Sequence, residues 1–330
     1  MKLIKLYCSC VYVLLLSITA CKPSINKPLA AIADTTTVAP WQAPDTNTIP
    51  NDAYGTQVKH GRDLILNTAY YIGPEGTKGN YLGNKMNCTN CHLKAGTQPY
   101  GLNYFSSHAR YPQYRGREDK ILTLADRVNN CIERPHNGKA LPLNSNELLA
   151  MICYIKWLGQ NVPTNTRVLG DDGIDIAFID RPASVENGAT IYKKECASCH
   201  GIDGEGKMKF NNVSYEYPPL WGKYAYQPGS SMHRVLKAAR FIKANMPYGT
   251  TWNKPKLSDE EAIDVAAFIN DNSHQRPITK GLRNYPNSIT KPIDYDQAPY
   301  QDNFTATQHK FGPFQPIINY HKEHNLPIIF

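Results

Sequence analysis

A mainly α-helical protein built as two similar halves with an irregular C-terminal extension is what this sequence predicts, and three observations predict it. The pentapeptide Cys88-Thr-Asn-Cys91-His92 returns 108 positions later as Cys196-Ala-Ser-Cys199-His200. Each copy is followed by a loop and then by a segment with helix-start residues and apolar side chains at helical spacing. Stretches rich in Pro, Thr, Asn or Gly separate these units and mark their boundaries.

The elements follow in chain order. Residues 1–20 carry Lys2 and Lys5, an apolar run from Leu6 to Leu16, and Ile18-Thr19-Ala20 ahead of Cys21. The run is too short to span a bilayer, so the segment reads as a signal peptide. The Cys21 context resembles a bacterial lipoprotein signal, with an ordinary secretory peptide as the plainer alternative. Cys21 is therefore expected to become an acylated N-terminus, anchoring the chain at a membrane facing the periplasm. Lys22, rather than Asp, follows it and favours the outer membrane.

Residues 21–52 read as a flexible tether. A first domain is expected over 53–165, closed by a helix with Asn144 and Glu147 as a capping box ahead of Leu148, Leu149, Ile152, Ile155 and Leu158. A connection covers 166–183. The second domain, 184–274, is expected to hold a helix leading into Cys196, a helix from Ser231 to Ala244, and a last helix begun by Ser258 and Glu261. Residues 275–330 lack a strong period and are expected to pack irregularly over both domains.

The repeated pentapeptide is CxxCH, the attachment signature of c-type haem. Two cysteines form thioethers to the haem vinyls and the adjacent histidine ligates the iron, so one short turn supplies tether and ligand. A zinc site would need a second Cys/His pair at finger spacing, which neither copy has. Two covalently bound haems follow, on Cys88, Cys91 and His92 and on Cys196, Cys199 and His200. The order helix, CxxCH, loop, helix is that of small cytochrome c domains.

The formal net charge is +8, falling to +6 once the two lysines of the signal segment are removed, before haem propionates are counted. For an exported haem protein this basic balance points to an anionic substrate or acidic redox partner, not to nucleic acid. Of nine cysteines, Cys8 and Cys10 leave with the signal, Cys21 takes lipid and four take haem. Only Cys131 and Cys153 remain.

The sixth iron ligands separate the two halves. Met246, 46 residues after His200 and followed by Pro247, is the natural distal ligand of the second haem, with Met232 and His233 as competitors. Methionine ligation raises the potential and suits electron transfer. In the first half the corresponding window offers Cys131, His136 and Met151. Cys131 and Cys153 could instead close a disulfide, worth about 3 kcal/mol for a loop of this size. Arg127 and Arg134 flank Cys131, with Arg115 and Arg117 upstream, and such cations favour a thiolate and suit sulfonate-like oxyanions. Interleaved acids leave a solvated mixed-charge surface as the alternative. Cys153, amid Met151-Ile152-Cys153-Tyr154-Ile155, reads as inert.

Five segments together resemble the dihaem tetrathionate-forming thiosulfate dehydrogenase family. They are Asn87 to Leu93, Asp126 to Arg134 continuing to Pro142, Pro218 to Gly222, Phe241 to Pro247, and Gln308 to Ile317. The resemblance implies that two thiosulfates are joined to tetrathionate, reversibly, with electrons passed to a soluble acceptor cytochrome. It implies that Cys131 ligates the first haem and takes part in catalysis, and that Arg117 and Arg127 line the substrate site. Two departures stand out: Pro135 replaces a common serine, and Asn245 occupies a place where some members present a ligating lysine. A dihaem peroxidase, an anchored electron-transfer cytochrome and a subunit of a thiosulfate-oxidising multienzyme system are the rival readings.

Overall fold

The computed structural model describes residues 40–278 and 282–330. The signal segment, Cys21 and the tether as far as residue 39 lie outside the described residues. No helix among the described residues is long and apolar enough to cross a membrane.

In the first half, α1 (Ala53–Leu66) starts where the Asp52 carboxylate accepts from the Gly55 amide at 2.8 Å. A hairpin of β1 (Gln113–Arg115) and β2 (Lys120–Leu122) follows, with Arg115 opposite Lys120. Helix α2 (Leu124–Glu133) opens on a capping box in which Thr123 and Asp126 satisfy each other's amides. Helix α3 (Asn146–Leu158) closes the half and crosses α1. The expected cap shifts by one residue: Ser145, not Asn144, accepts from the Leu148 amide. Leu148 then occupies the third helical position, and Glu147, one place early, closes no box.

The second half repeats the plan with α4 (Val185–Glu195), α5 (Val235–Asn245) and α6 (Asp259–Ile269). Ser258 and Glu261 form the expected capping box. The helix expected from Ser231 is interrupted, because Ser231–His233 is a separate 3-10 turn and Arg234 is extended. Asp294 is the reason: its carboxylate holds Arg234 Nε at 2.8 Å and the Leu236 amide at 3.2 Å, fixing the start of α5. A short ribbon of β3 (Lys207–Met208) and β4 (Tyr215–Tyr217) lies between α4 and α5.

Each half depends on one glycine at its helix crossing. A Cβ on Gly61 of α1 would lie 1.9 Å from the Ala150 carbonyl of α3, and one on Gly188 of α4 would lie 2.1 Å from the Asp264 carbonyl of α6. Only a residue without a side chain lets the backbones approach this closely. Around the first crossing lie Val58, Leu64, Ile65, Leu148, Tyr154 and Leu158, all buried; around the second lie Tyr192, Ile263, Val265 and Ala266.

Two stretches are more ordered than the sequence suggested. Residues 40–52, expected as tether, pack on the first half: the Trp41 ring lies 4.2 Å from Phe105, and its amide donates to Leu169 O at 3.1 Å. The C-terminal extension, expected to be irregular, carries α7 (Ala306–Phe311) and α8 (Gln315–Glu323). Their histidines, His309 and His321, converge on the buried Asp302 carboxylate at 3.0 and 2.8 Å. That clasp is a contact between side chains 19 residues apart, which no local period announces.

Replacing Gly188 with alanine should cost about 1–3 kcal/mol through forced separation of α4 and α6. The check is a lower urea midpoint of the holoprotein, followed by haem absorbance; an unchanged midpoint would contradict the close crossing.

Candidate functional site

Both CxxCH histidines have one ring nitrogen committed to a backbone carbonyl. His92 Nδ1 donates to Leu102 O, and His200 Nδ1 donates to Pro218 O at 2.8 Å. A carbonyl only accepts, so Nδ1 carries the proton in each ring and Nε2 is left as a metal ligand. The first loop is held by buried polar groups: Cys88 N donates to Thr68 Oγ1 at 2.9 Å, and Asn87 Oδ1 accepts from Ala69 N at 2.9 Å. Burial pushes the thiols of Cys88, Cys91 and Cys196 up to about 12. Such surroundings suit a neutral thioether. These residues fit a covalently tethered haem in each half.

In front of His92 lies a cavity of about 570 Å³, lined by the first half, by Gly229 to Lys237 of the second half, and by Thr290, Pro292, Ile329 and Phe330 of the tail. Cys131 of α2 faces it, within hydrogen-bonding reach of His92. One helical turn earlier, Arg127 donates from Nη1 to the Cys131 sulfur at 3.0 Å. Burial opposes ionisation of this thiol, but Arg127, the contact with His92 and the charge of Arg134 outweigh it and bring Cys131 down to about 6. Its sulfur is therefore anionic at neutral pH, unlike the buried CxxCH thiols. Cys131 and Cys153 are both free, so the disulfide alternative is not formed.

His136 and Met151 line the same cavity. Burial lowers His136 to about 4, and its Nδ1 lies 3.2 Å from Asn84 Oδ1. Pro135, at the place of the common serine, also lines the cavity, where Ser230 and Ser231 bring hydroxyls from the second half.

Eight cationic and three acidic side chains line the cavity, so its walls carry a positive excess. The cations are not equally available. Arg117, buried, donates to Gly229 O, to Ser231 Oγ at 3.0 Å and to Tyr285 OH at 3.3 Å, with its guanidinium carbon 5.2 Å from the Tyr285 ring centre. Arg134 pairs with Glu118 at 3.3 Å and donates to Asn284 and Asn130, each at 3.0 Å. The Arg127 guanidinium has only the sulfur of Cys131 as a hydrogen-bond partner among the described residues. The Arg115 backbone is bonded within the hairpin, but its guanidinium has neither a hydrogen-bond nor an ion-pair partner among the described residues.

Around the second CxxCH, Met246 and Met232 both pack on the apolar cluster that includes Cys196. Met246 directly follows α5, so the helix end fixes its backbone. The residue before it, Asn245, is buried and spans the two halves. It accepts from Gln98 Nε2 at 2.6 Å and donates to Tyr100 O at 3.0 Å and Phe241 O at 2.9 Å. Burial lowers His233, with help from Lys310 and Arg276, to about 3, so its ring is neutral.

Sequence reasoning found the arginines near Cys131 but not what holds them. Gly229, Ser231, Asn284 and Tyr285 lie 112 to 168 residues away from Arg117 and Arg134, in stretches with no local sign of a site.

Residues 80–164 match the family described as SoxA/TsdA, cytochrome c domain, and residues 185–273 match cytochrome c. The chain is similar to the thiosulfate dehydrogenase of Psychrobacter arcticus, 35% identical over 75% of this chain and 73% of the relative. That of Stutzerimonas stutzeri is 36% identical over 72% of this chain and 73% of its own length. That of Allochromatium vinosum is 34% identical, covering 76% and 89%. Among solved structures, a thiosulfate dehydrogenase from Marichromatium purpuratum aligns with a TM-score of 0.64 and 32% identity over 70% of this chain. The match spans 49%, about half, of that solved chain.

The hydrogen-bond inventory separates Arg117 from Arg115 by stability. Arg117→Ala strands three acceptors, those of Gly229 and Tyr285 buried, and should cost about 2–4 kcal/mol, whereas Arg115→Ala should stay within about 0.5 kcal/mol of wild type. Parallel thermal melts of the two holoproteins check this; equal midpoints would contradict it.

Proposed function

The chain belongs to the dihaem thiosulfate dehydrogenase family, and from that premise we propose that it oxidises two thiosulfates to tetrathionate and passes the electrons to a soluble acceptor cytochrome. The observation that carries this reading is the Arg127 guanidinium 3.0 Å from the Cys131 sulfur, in a cation-walled cavity facing His92.

His92 and Cys131 on one side, and His200 and Met246 on the other, are the residues that would hold the two irons. When bound, the two haems supply two one-electron acceptors, which matches the two electrons the reaction releases.

Cys131 contributes a sulfur that is already anionic. Arg127 stabilises that charge before substrate arrives and can share its donors with a sulfur oxyanion. The Cys131 thiolate and the outer sulfur of one thiosulfate dianion, both electron-rich, would join only with loss of two electrons, one for each of the two acceptors, leaving a singly charged Cys131–thiosulfate adduct. The outer sulfur of a second thiosulfate then attacks the substrate-derived sulfur of that bond. The Cys131–sulfur bond breaks, tetrathionate dianion leaves, and the Cys131 thiolate is restored. In each step a thiosulfate dianion meets a single negative charge, and at ~5 Å the two repel by about 2 kcal/mol even at the dielectric of water, and by more where water is excluded. The cationic walls offset this repulsion without reorganising at the moment of reaction.

Cys131→Gly should reduce kcat/KM for thiosulfate by at least about a hundredfold, the scale of losing a covalent or preorganised catalytic group. The assay uses holoprotein with an artificial acceptor. Activity surviving intact, with both haems present, would refute the proposal. Replacing Met246 should instead shift the second haem's potential and slow acceptor reduction while thiosulfate still binds.

We also propose that Cys21 is acylated and holds the protein at the periplasmic face of the outer membrane. Cys21→Ser should release it into the soluble periplasmic fraction; retention in the membrane fraction would count against the anchor.

A further inference from the structure

We infer that Arg115 is a second oxyanion-binding group of the cavity: it holds the sulfonate of the second thiosulfate while Arg127 and Cys131 engage the first. This rests on the thiosulfate-oxidising reading above and assigns the second substrate a place within it.

The cations of the cavity differ in what each is paired to. Arg167 pairs with Asp171 and Asp172 at 2.9 and 3.2 Å, and Lys237 also pairs with Asp172. Arg234 pairs with Asp294, Arg134 with Glu118, and Arg117 is spent on Gly229, Ser231 and Tyr285. Arg115 is left: half-buried in the cavity wall, with none of its guanidinium donors matched among the described residues. Its neighbour Arg110 makes one hydrogen bond, from Nη2 to Gln113 Oε1 at 3.3 Å. Burial pushes Arg110 down, and the charges of Arg167 and Arg115 add to the effect.

Backbone geometry aims these groups at the cavity. Side chains alternate along a strand, so Gln113 and Arg115 share the half-buried face of β1 and line the cavity wall, while the more exposed Tyr114 between them borders the cavity from the rim. A half-buried cation without a partner is costly, and an incoming anion removes that cost.

The chemistry requires such a group. In the steps above the Cys131 adduct keeps one negative charge and the incoming thiosulfate brings two, so three negative charges must be held as the bond between the two substrates forms. Arg127, beside Cys131, serves the reacting end of the first anion. A second cation on another wall lets the next thiosulfate bind with its sulfonate outward and its outer sulfur toward Cys131. The one other oxyanion this cavity would meet is a propionate of the first haem, and the experiment separates the two.

The test compares Arg115→Gln and Arg115→Lys with wild-type holoprotein. It measures KM and kcat for thiosulfate with an artificial acceptor, the inhibition constant of sulfate as an unreactive oxyanion, haem content, and a redox titration of both haems. Loss of a charge-assisted contact should raise KM for Arg115→Gln about ten- to a hundredfold and raise the sulfate inhibition constant in step. kcat should change far less, because the contact is made equally in ground and transition states. Arg115→Lys should recover much of the loss, with haem content and potentials as in wild type. Unchanged KM and sulfate inhibition would overturn the assignment. So would a shifted first-haem potential or lost haem with KM unchanged, which would give Arg115 to the propionate. A wild-type protein that does not oxidise thiosulfate would remove the functional reading and this assignment with it; an active wild type with an indifferent Arg115→Gln would remove this assignment alone.

Discussion

A sulfur anion held inside a protein needs a cation that cannot move away, and the contact of Arg127 with Cys131 meets that need. The two side chains lie one turn apart on α2, so the helix fixes their separation, and the 3.0 Å contact requires no distant loop to close. Burial alone drives a thiol toward its neutral form, as Cys88 and Cys91 in the same cavity demonstrate. Cys131 goes the other way because Arg127, His92 and Arg134 surround it. The sulfur chemistry proposed for the cavity depends on that inversion.

The two halves share a scaffold and differ in what it frames. In both, a glycine lets the first and last helices cross at backbone contact, and a CxxCH histidine is locked by a carbonyl. The first half then opens onto a cationic cavity. The second presents Met246 in apolar surroundings, beside an Asn245 whose amide is occupied by Gln98, Tyr100 and Phe241. An amide so engaged is a fastening, not a spare ligand. It ties the residue before Met246 to the loop that follows the first CxxCH, joining the two halves mechanically.

Much of this was legible in the chain, and the rest had a physical reason to be hidden. CxxCH declares itself because tether and ligand are adjacent, and the Ser258/Glu261 box because a cap is a local pattern. Local chemistry misplaced the α3 cap by one residue, since Asn144 and Ser145 are both good caps and only packing chooses between them. It extended α5 too far toward Ser231 because the stop at Arg234 comes from Asp294, 60 residues on. The arginines near Cys131 were visible as a cluster, but which were free to bind was not. That depends on acceptors supplied by the second half and the tail.

This dependence means that a sequence repeat here does not make two separable modules. The wall that faces Cys131 is assembled from three stretches of chain: the β1–β2 hairpin, the turn at Gly229 to Ser231, and the segment holding Asn284 and Tyr285. Arg117 and Arg134 are rigid because those remote groups consume their donors, and rigid charges stabilise a reacting anion without first having to reorient. A first half alone would keep Arg127 and Cys131, which need only α2, yet would lose the partners of Arg117 and Arg134. Its cations would then be solvated and mobile, screened by the water that the second half and tail displace. The tail and the second CxxCH half are thus parts of the Cys131 cavity as much as neighbours to it, and the electrostatics of that cavity belong to the whole chain.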